Sequence, residues 1–192
     1  MERQKTTRVR CVRAFLAPLL LGGCCALAAA PSMSNLNPPT RPSSRTGSVV
    51  VAGVGADGGE QEVLFGGNAL LNTNAQTWTY SPNNWSQRAP PTAPGARAWG
   101  VMTWDASQRR AILFGGSTDL NGPLLQDTWA FDPLTDSWVQ LTNMGAVPPA
   151  RFLSAMVYVP HLQQHLLFGG GTATSSNAEA TALDNGLWTL SV

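Results

Sequence analysis

The chain has 192 residues, of which 43% are apolar and 12% charged, and its formal net charge is +1. That length suffices for one domain with a core of its own. The near-neutral balance excludes a polycationic nucleic-acid binder. Its cysteines, at positions 11, 24 and 25, are too clustered to form a disulfide framework.

Residues 1–30 read as an export leader. Arg3, Lys5, Arg8, Arg10 and Arg13 form a basic stretch, an apolar run spans 14–30, and Pro31 closes it. The run is at the short edge for a membrane span, and Pro18, Gly22 and Gly23 interrupt it. A cleaved signal peptide is therefore expected ahead of an uncleaved anchor. Ala26-Leu27-Ala28 and Ala28-Ala29-Ala30 both fit a small-x-small cleavage site. Leu21-Gly22-Gly23-Cys24 also resembles a bacterial lipobox, which makes Cys24 a lipidation candidate. The expected location is secreted, periplasmic, or at the cell envelope as a lipoprotein. The remainder has no cysteine and no lysine; with 7 basic and 10 acidic side chains it is slightly acidic.

Next comes an N-terminal segment, 31–44. Its MSNLNPPTRPSSR (33–45) aligns without a gap on WSQRAPPTAPGAR (85–97), Met33 standing where Trp85 does. Residues 33–37 are thus a candidate strand placed ahead of the first repeat.

From Arg45 onward the chain repeats itself in three units, 45–96, 97–150 and 151–192. Arg45, Arg97 and Arg151 each open an apolar run. VLFGG (63–67), ILFGG (112–116) and LLFGG (166–170) follow, then Trp78, Trp129 and Trp188. A second tryptophan, Trp85 or Trp138, leads into a proline-rich joint in the first two units. VMTW and MVYV are β-rich, while DASQRR and PHLQQH are polar hairpin turns. ILFGG is expected as a second strand ended by its glycines, DTWAF as a third and SWVQL as a fourth. Proline then stops the pairing. The third unit offers no fourth strand.

The unit length of about 50 and these signatures resemble the kelch repeat, in particular the bacterial, galactose-oxidase-type kelch repeats. The resemblance implies an all-β, kelch-type β-propeller with three recognisable four-stranded blades, partial or completed by oligomerisation. It implies that strand 33–37 closes the last blade, in its own chain or a second copy. Three blades fall short of the 4–8 that propellers use, so a dimer or larger assembly is expected.

The same resemblance puts Arg45, Arg97 and Arg151 near the channel mouth as candidate ligand contacts, the guanidinium fork suiting anionic groups. Trp99 and Trp104 break their repeat columns, where Leu153 and Tyr158 stand in the third unit, and Trp99, close to Arg97, joins the candidate contacts. The competing role for each arginine is to brace the blade joint through carbonyls or an acid such as Asp105. His161 and His165 have H-x3-H spacing but fall in a hairpin, where a solvated turn is expected and no metal site. No cofactor is expected, since the copper-radical chemistry of the galactose-oxidase group needs a cysteine that the part after the leader lacks. The functional expectation is a binding or interaction module for a protein or carbohydrate ligand, without enzymatic activity. Two alternatives stand beside it. One is a carbohydrate-active periplasmic enzyme such as a sugar mutarotase, drawing acid–base groups from Asp119, Glu179 or Asp184. The other is a non-functional fragment of a longer propeller.

Overall fold

The computed structural model describes residues 34–55, 58–69, 72–142, 145–173 and 181–192. The leader, with Cys24, lies outside them, as do Met33 and Glu179. Short apolar runs punctuated by polar turns fold into antiparallel sheets, and the described residues contain no helix. The first blade holds β1 (Val49–Val54), β2 (Glu60–Phe65), a small hairpin of β3 (Asn68–Ala69) with β4 (Asn72–Thr73), β5 (Thr77–Tyr80) and β6 (Trp85–Arg88). Its sheet order is β1-β2-β5-β6. The second holds β7 (Val101–Asp105), β8 (Arg110–Ser117), β9 (Leu124–Asp132) and β10 (Ser137–Leu141), again in chain order. The third holds β11 (Ala155–Val159), β12 (Gln164–Phe168), a hairpin of β13 (Gly171–Ala173) with β14 (Thr181–Leu183), and β15 (Leu187–Leu190). Here the sheet is three-stranded, β11-β12-β15. The chain therefore has the all-β architecture of propeller blades, all within the unit Leu36–Val192.

Turn chemistry fixes the registers. Arg109 and Gln163 take positive φ (54° and 52°) where the first hairpins of the second and third blades reverse. Asp105 and Asp132 accept backbone N–H bonds from Ser107 and Leu134, at 2.9 and 2.8 Å, and hold the starts of the turns.

The Phe-Gly-Gly sites differ from the sequence expectation in one respect. The glycines do not end the second strand of the middle blade. β8 runs on to Ser117 with a register shift between Phe114 and Gly116. The pair is a bulge that bends the strand. In the outer blades the same bend separates the short hairpins β3–β4 and β13–β14 from the main sheet. All six glycines have positive φ, between 63° and 102°.

The second glycine N–H crosses to the next blade: Gly67 donates to the Arg97 carbonyl and Gly116 to the Arg151 carbonyl, both at 2.9 Å. A Cβ on Gly115 would stand 2.7 Å from the Arg151 carbonyl, whereas on Gly169 its nearest neighbour would be 3.8 Å away. Both residues share the left-handed φ. Gly115→Val should therefore cost the strain of about 1–3 kcal/mol plus a displaced joint, and Gly169→Val the strain alone. Urea unfolding of the two variants measures the difference. Gly95, with open space and ordinary φ, is the control: Gly95→Ala should stay within about 0.5 kcal/mol of the parent.

The main core fills the joint between the first and second blades. Val63 and Phe65 of one meet Met102, Trp104, Leu113, Trp129, Phe131 and Trp138 of the other, with Val49, Val51 and Ala93 at the margin. Two columns that break the repeat are explained here. Trp99 and Trp104 need room, and glycines supply it: a Cβ on Gly47 would meet the Trp99 ring at 2.7 Å, and one on Gly53 would overlap Trp104. On the far side of the third blade, Val157, Phe168 and Leu187 are exposed, and on the free face of the first, Val50 and Val54. Residues 34–37 of the candidate closing strand form no ladder, and Leu36 is exposed.

Candidate functional site

Each unit's arginine stands a few residues before its first strand, at the bulge end of the blade. Arg97 shows the geometry most fully. Its Nε donates to the Gly95 carbonyl at 3.0 Å and Nη1 to the Gly115 carbonyl at 3.2 Å. The fork of Nη1 and Nη2 then grips both oxygens of Asp127 at 2.6 and 2.8 Å. Arg151 repeats this on the carbonyls of Pro149 and Gly169, and pairs with Asp184. Arg45 repeats it on Ser43 and Gly66, but there Gln76 accepts at 2.7 Å, so the bond has no opposite charge.

The acceptor column went unread in the sequence. Asp127 lies two residues before Trp129, and Gln76 two before Trp78. Each acceptor also takes the indole N–H, at 2.7 Å for Trp129 and 3.2 Å for Trp78. An Asp/Gln-x-Trp spacing was the available signal. In the third blade the acid sits four residues ahead, at Asp184, and Gly186 occupies the usual column. The buried Trp188 indole N–H has no partner among the described residues.

Electrostatics follow the geometry. Burial pushes the Asp127 carboxyl up, but the hydrogen bonds from Arg97 and Trp129 and the guanidinium charge outweigh it, leaving the group below its ordinary value. The Gly186 N–H and then Arg151 likewise hold Asp184 low. Arg97 and Arg151 are buried, at 3% and 1% exposure, with their donors spent on the chain itself. Arg45 and Trp99 stay partly exposed. Trp99 has φ of 57°, donates its N–H to the Gly47 carbonyl at 2.7 Å, and its carbonyl accepts from Leu153 at 2.9 Å. The four sequence-derived residues thus form one ladder of joints. Asp105 is not part of it.

Asp105 belongs to a second cluster at the opposite strand ends, and here the expectation for the histidines needs correcting. His161 is exposed in its turn, but His165 lies on β12 with no exposed surface. The β12 alternation that buries Leu167 buries His165 with it. Its ring packs against Tyr158 at a tilt, centroids 5.0 Å apart, and Nε2 is 3.7 Å from Asp105 Oδ2, beyond hydrogen-bonding distance. Arg110 Nε faces the same carboxylate at 4.0 Å.

Burial, opposed by Asp105, lowers the His165 pKa from 6.5. A base held low in the fold takes up more protons when unfolded, so stability is complete above about pH 6.5 and falls as pH drops toward the folded value. The thermal midpoint should therefore decline between pH 7 and pH 5, and His165→Leu should flatten that slope in a scanning-calorimetry series. An unchanged slope would remove His165 as its source.

Among the described residues no three His, Cys, Asp or Glu side chains gather as metal ligands. Of the acids considered for catalysis, Asp184 is held by Arg151, and Asp119 bonds the adjacent Leu120 N–H. A family model for the Kelch motif matches residues 108–145, the span from the β7–β8 turn through β10. No curated protein matches the chain.

Proposed function

We propose, from the premise that this is a kelch-repeat protein, that the chain is an exported interaction module whose ligand is another protein. The observation that carries the reading is how the repeat residues are spent. Arg97, Arg151, Trp129 and Trp138 are consumed by the joints and core, and Asp184 is paired. Among the described residues an exposed apolar cluster remains: Val157, Phe168 and Leu187 on one face of the third blade. An exposed cluster of this kind fits a protein interface better than a reaction centre. A photo-crosslinking residue in place of Val157 tests this directly. One reproducible protein adduct in the native envelope fraction is expected. Interconversion of sugar anomers by the purified chain, followed by polarimetry, would replace the reading with the mutarotase alternative.

Export rests on the basic and apolar leader. Mass spectrometry of the protein from its native source should show loss of roughly the first 23 to 30 residues, and a mature form retaining Met1 would end the idea. A diacylglyceryl group on Cys24 would mark an envelope lipoprotein.

A further inference from the structure

Each blade joint repeats the same meeting of two strand pairs. Between the first and second blades, the pair Gly53–Gln61 stands against the pair Trp104–Ala111. The Trp104 ring lies over Gly53, so that joint closes on an apolar contact. Between the second and third blades the corresponding pairs are Asp105–Arg110 and Tyr158–His165. Ionisable side chains hold all four positions there. The joint is also dry, Asp105 being 1% exposed and His165 0%. Among the described residues, His165 Nδ1 and Nε2 and Arg110 Nε have no hydrogen-bond partner.

We propose that the joint between the second and third blades is an acid-operated latch, closed while His165 is neutral and opened when its ring takes up a proton. The neutral imidazole packs as a flat, weakly polar ring beside Tyr158. A proton gives it a full charge and a second N–H, and the closed joint satisfies neither. From β7, Asp105 is the one acid of the described residues that faces it. Its Oδ1 is already taken by the Ser107 N–H, the Ser107 hydroxyl and the Gln108 N–H, at 2.9, 2.6 and 3.1 Å. Oδ2 remains, 3.7 Å from Nε2, but Arg110 of β8 shares it from 4.0 Å and repels an imidazolium. Nδ1 has no acceptor. β11 contributes Tyr158, and β15 sets the uncharged Leu190 opposite His165. Burial, opposed by Asp105 and aided by Arg110, therefore holds the ring's pKa below 6.5. Opening the joint to water releases that constraint, so falling pH favours the open form. Gly53, Gln61, Trp104 and Ala111 take up no proton in this range, and the first joint stays closed. A two-state contact biased by one histidine is how pH-sensing interfaces work. The latch goes beyond the interaction-module reading and stands whatever that module binds.

Hydrogen exchange of the purified full chain between about pH 7.5 and pH 5, corrected for the intrinsic pH dependence of amide exchange, tests the latch. Amides of β11 and β12 should lose protection by up to about tenfold per pH unit below 6.5, while those of β2 and β5 keep theirs. Arg110→Gln should weaken the dependence, since the imidazolium then has Asp105 to itself. His165→Leu should abolish it, and His161→Gln, at an exposed ring, should leave it unchanged. The parent profile decides by itself if His165→Leu does not fold. Protection in β11 and β12 that is independent of pH overturns the proposal. So does an equal loss in β2 and β5, since acid would then unfold the whole chain rather than open one joint. A dependence that His161→Gln removes would overturn it as well.

Discussion

Trp138→Ala is expected to cost about 3–5 kcal/mol, the range for deleting a buried aromatic, and at this chain length to lower the thermal midpoint by roughly 6–20 °C. The side chain is 3% exposed and joins two blades that otherwise have separate sheets. Its removal leaves a hole bordered by Phe65 and Phe131 and frees the Thr77 hydroxyl in a site that water reaches poorly. Trp138→Phe should keep most of the ring contact and lose the hydrogen bond, for about 1 kcal/mol beyond the smaller area. Trp85 supplies the comparison. It occupies the same column, packs at a tilt against its own Tyr80 with centroids 5.2 Å apart, and is only half-buried, because no blade precedes it among the described residues. Trp85→Ala should therefore cost clearly less. Equal losses in urea unfolding would mean that the inter-blade contact contributes little, and the blades would then be held by their backbone joints.

The contrast between those two tryptophans also shows what was legible in the sequence. Strand alternation, the hairpin turns and the period of the repeat are local signals, and the all-β fold of short antiparallel sheets follows from them. The Gly-Gly pairs were legible as sharp turns, since two adjacent glycines signal positive φ. That the turn is a bulge inside β8 was not, because the strand's continuation to Ser117 depends on pairing with Leu124 and Leu125. The arginine column was visible and its partner was not. The competing expectation chose Asp105, an acid near in sequence, whereas the fold brings Asp127 from the third strand, 30 residues on. His165 illustrates the same limit. Four positions from His161 it looked like part of a turn, but the hairpin ends at Gln163 and strand alternation turns His165 inward against Asp105 of the neighbouring blade. Trp99 and Trp104 looked like departures from the repeat until Gly47 and Gly53 showed where their rings go. In each case the missing information was a contact across a blade joint.

The largest polar effect is expected at Arg97. Arg97→Ala removes the donor to two carbonyls and to both oxygens of Asp127, and it leaves a carboxylate at the joint without its counter-ion. Loss of one partner of a buried pair costs about 3–5 kcal/mol. Asp127 keeps 23% of its side-chain surface, so water softens the penalty and the lower end of that range is expected. Arg97→Lys should recover little, because an ammonium cannot replace a planar fork that serves four acceptor oxygens. Arg45→Ala should cost less than Arg97→Ala. It makes equivalent carbonyl contacts, but its acceptor is the neutral Gln76, and it is partly exposed. The pairwise share comes from a double-mutant cycle of Arg97→Ala with Asp127→Ala, where about 0.5–3 kcal/mol of coupling is expected.

Acid should act on the same pair. The Asp127 pKa is lowered in the fold from 3.8, so its contribution is complete above about pH 3.8 and disappears as pH falls through the folded value. That window lies well below the one assigned to His165. A chain whose stability loss below pH 4 is unchanged by Asp127→Asn, or a cycle with no coupling, would show that the guanidinium holds the joint through the Gly95 and Gly115 carbonyls alone.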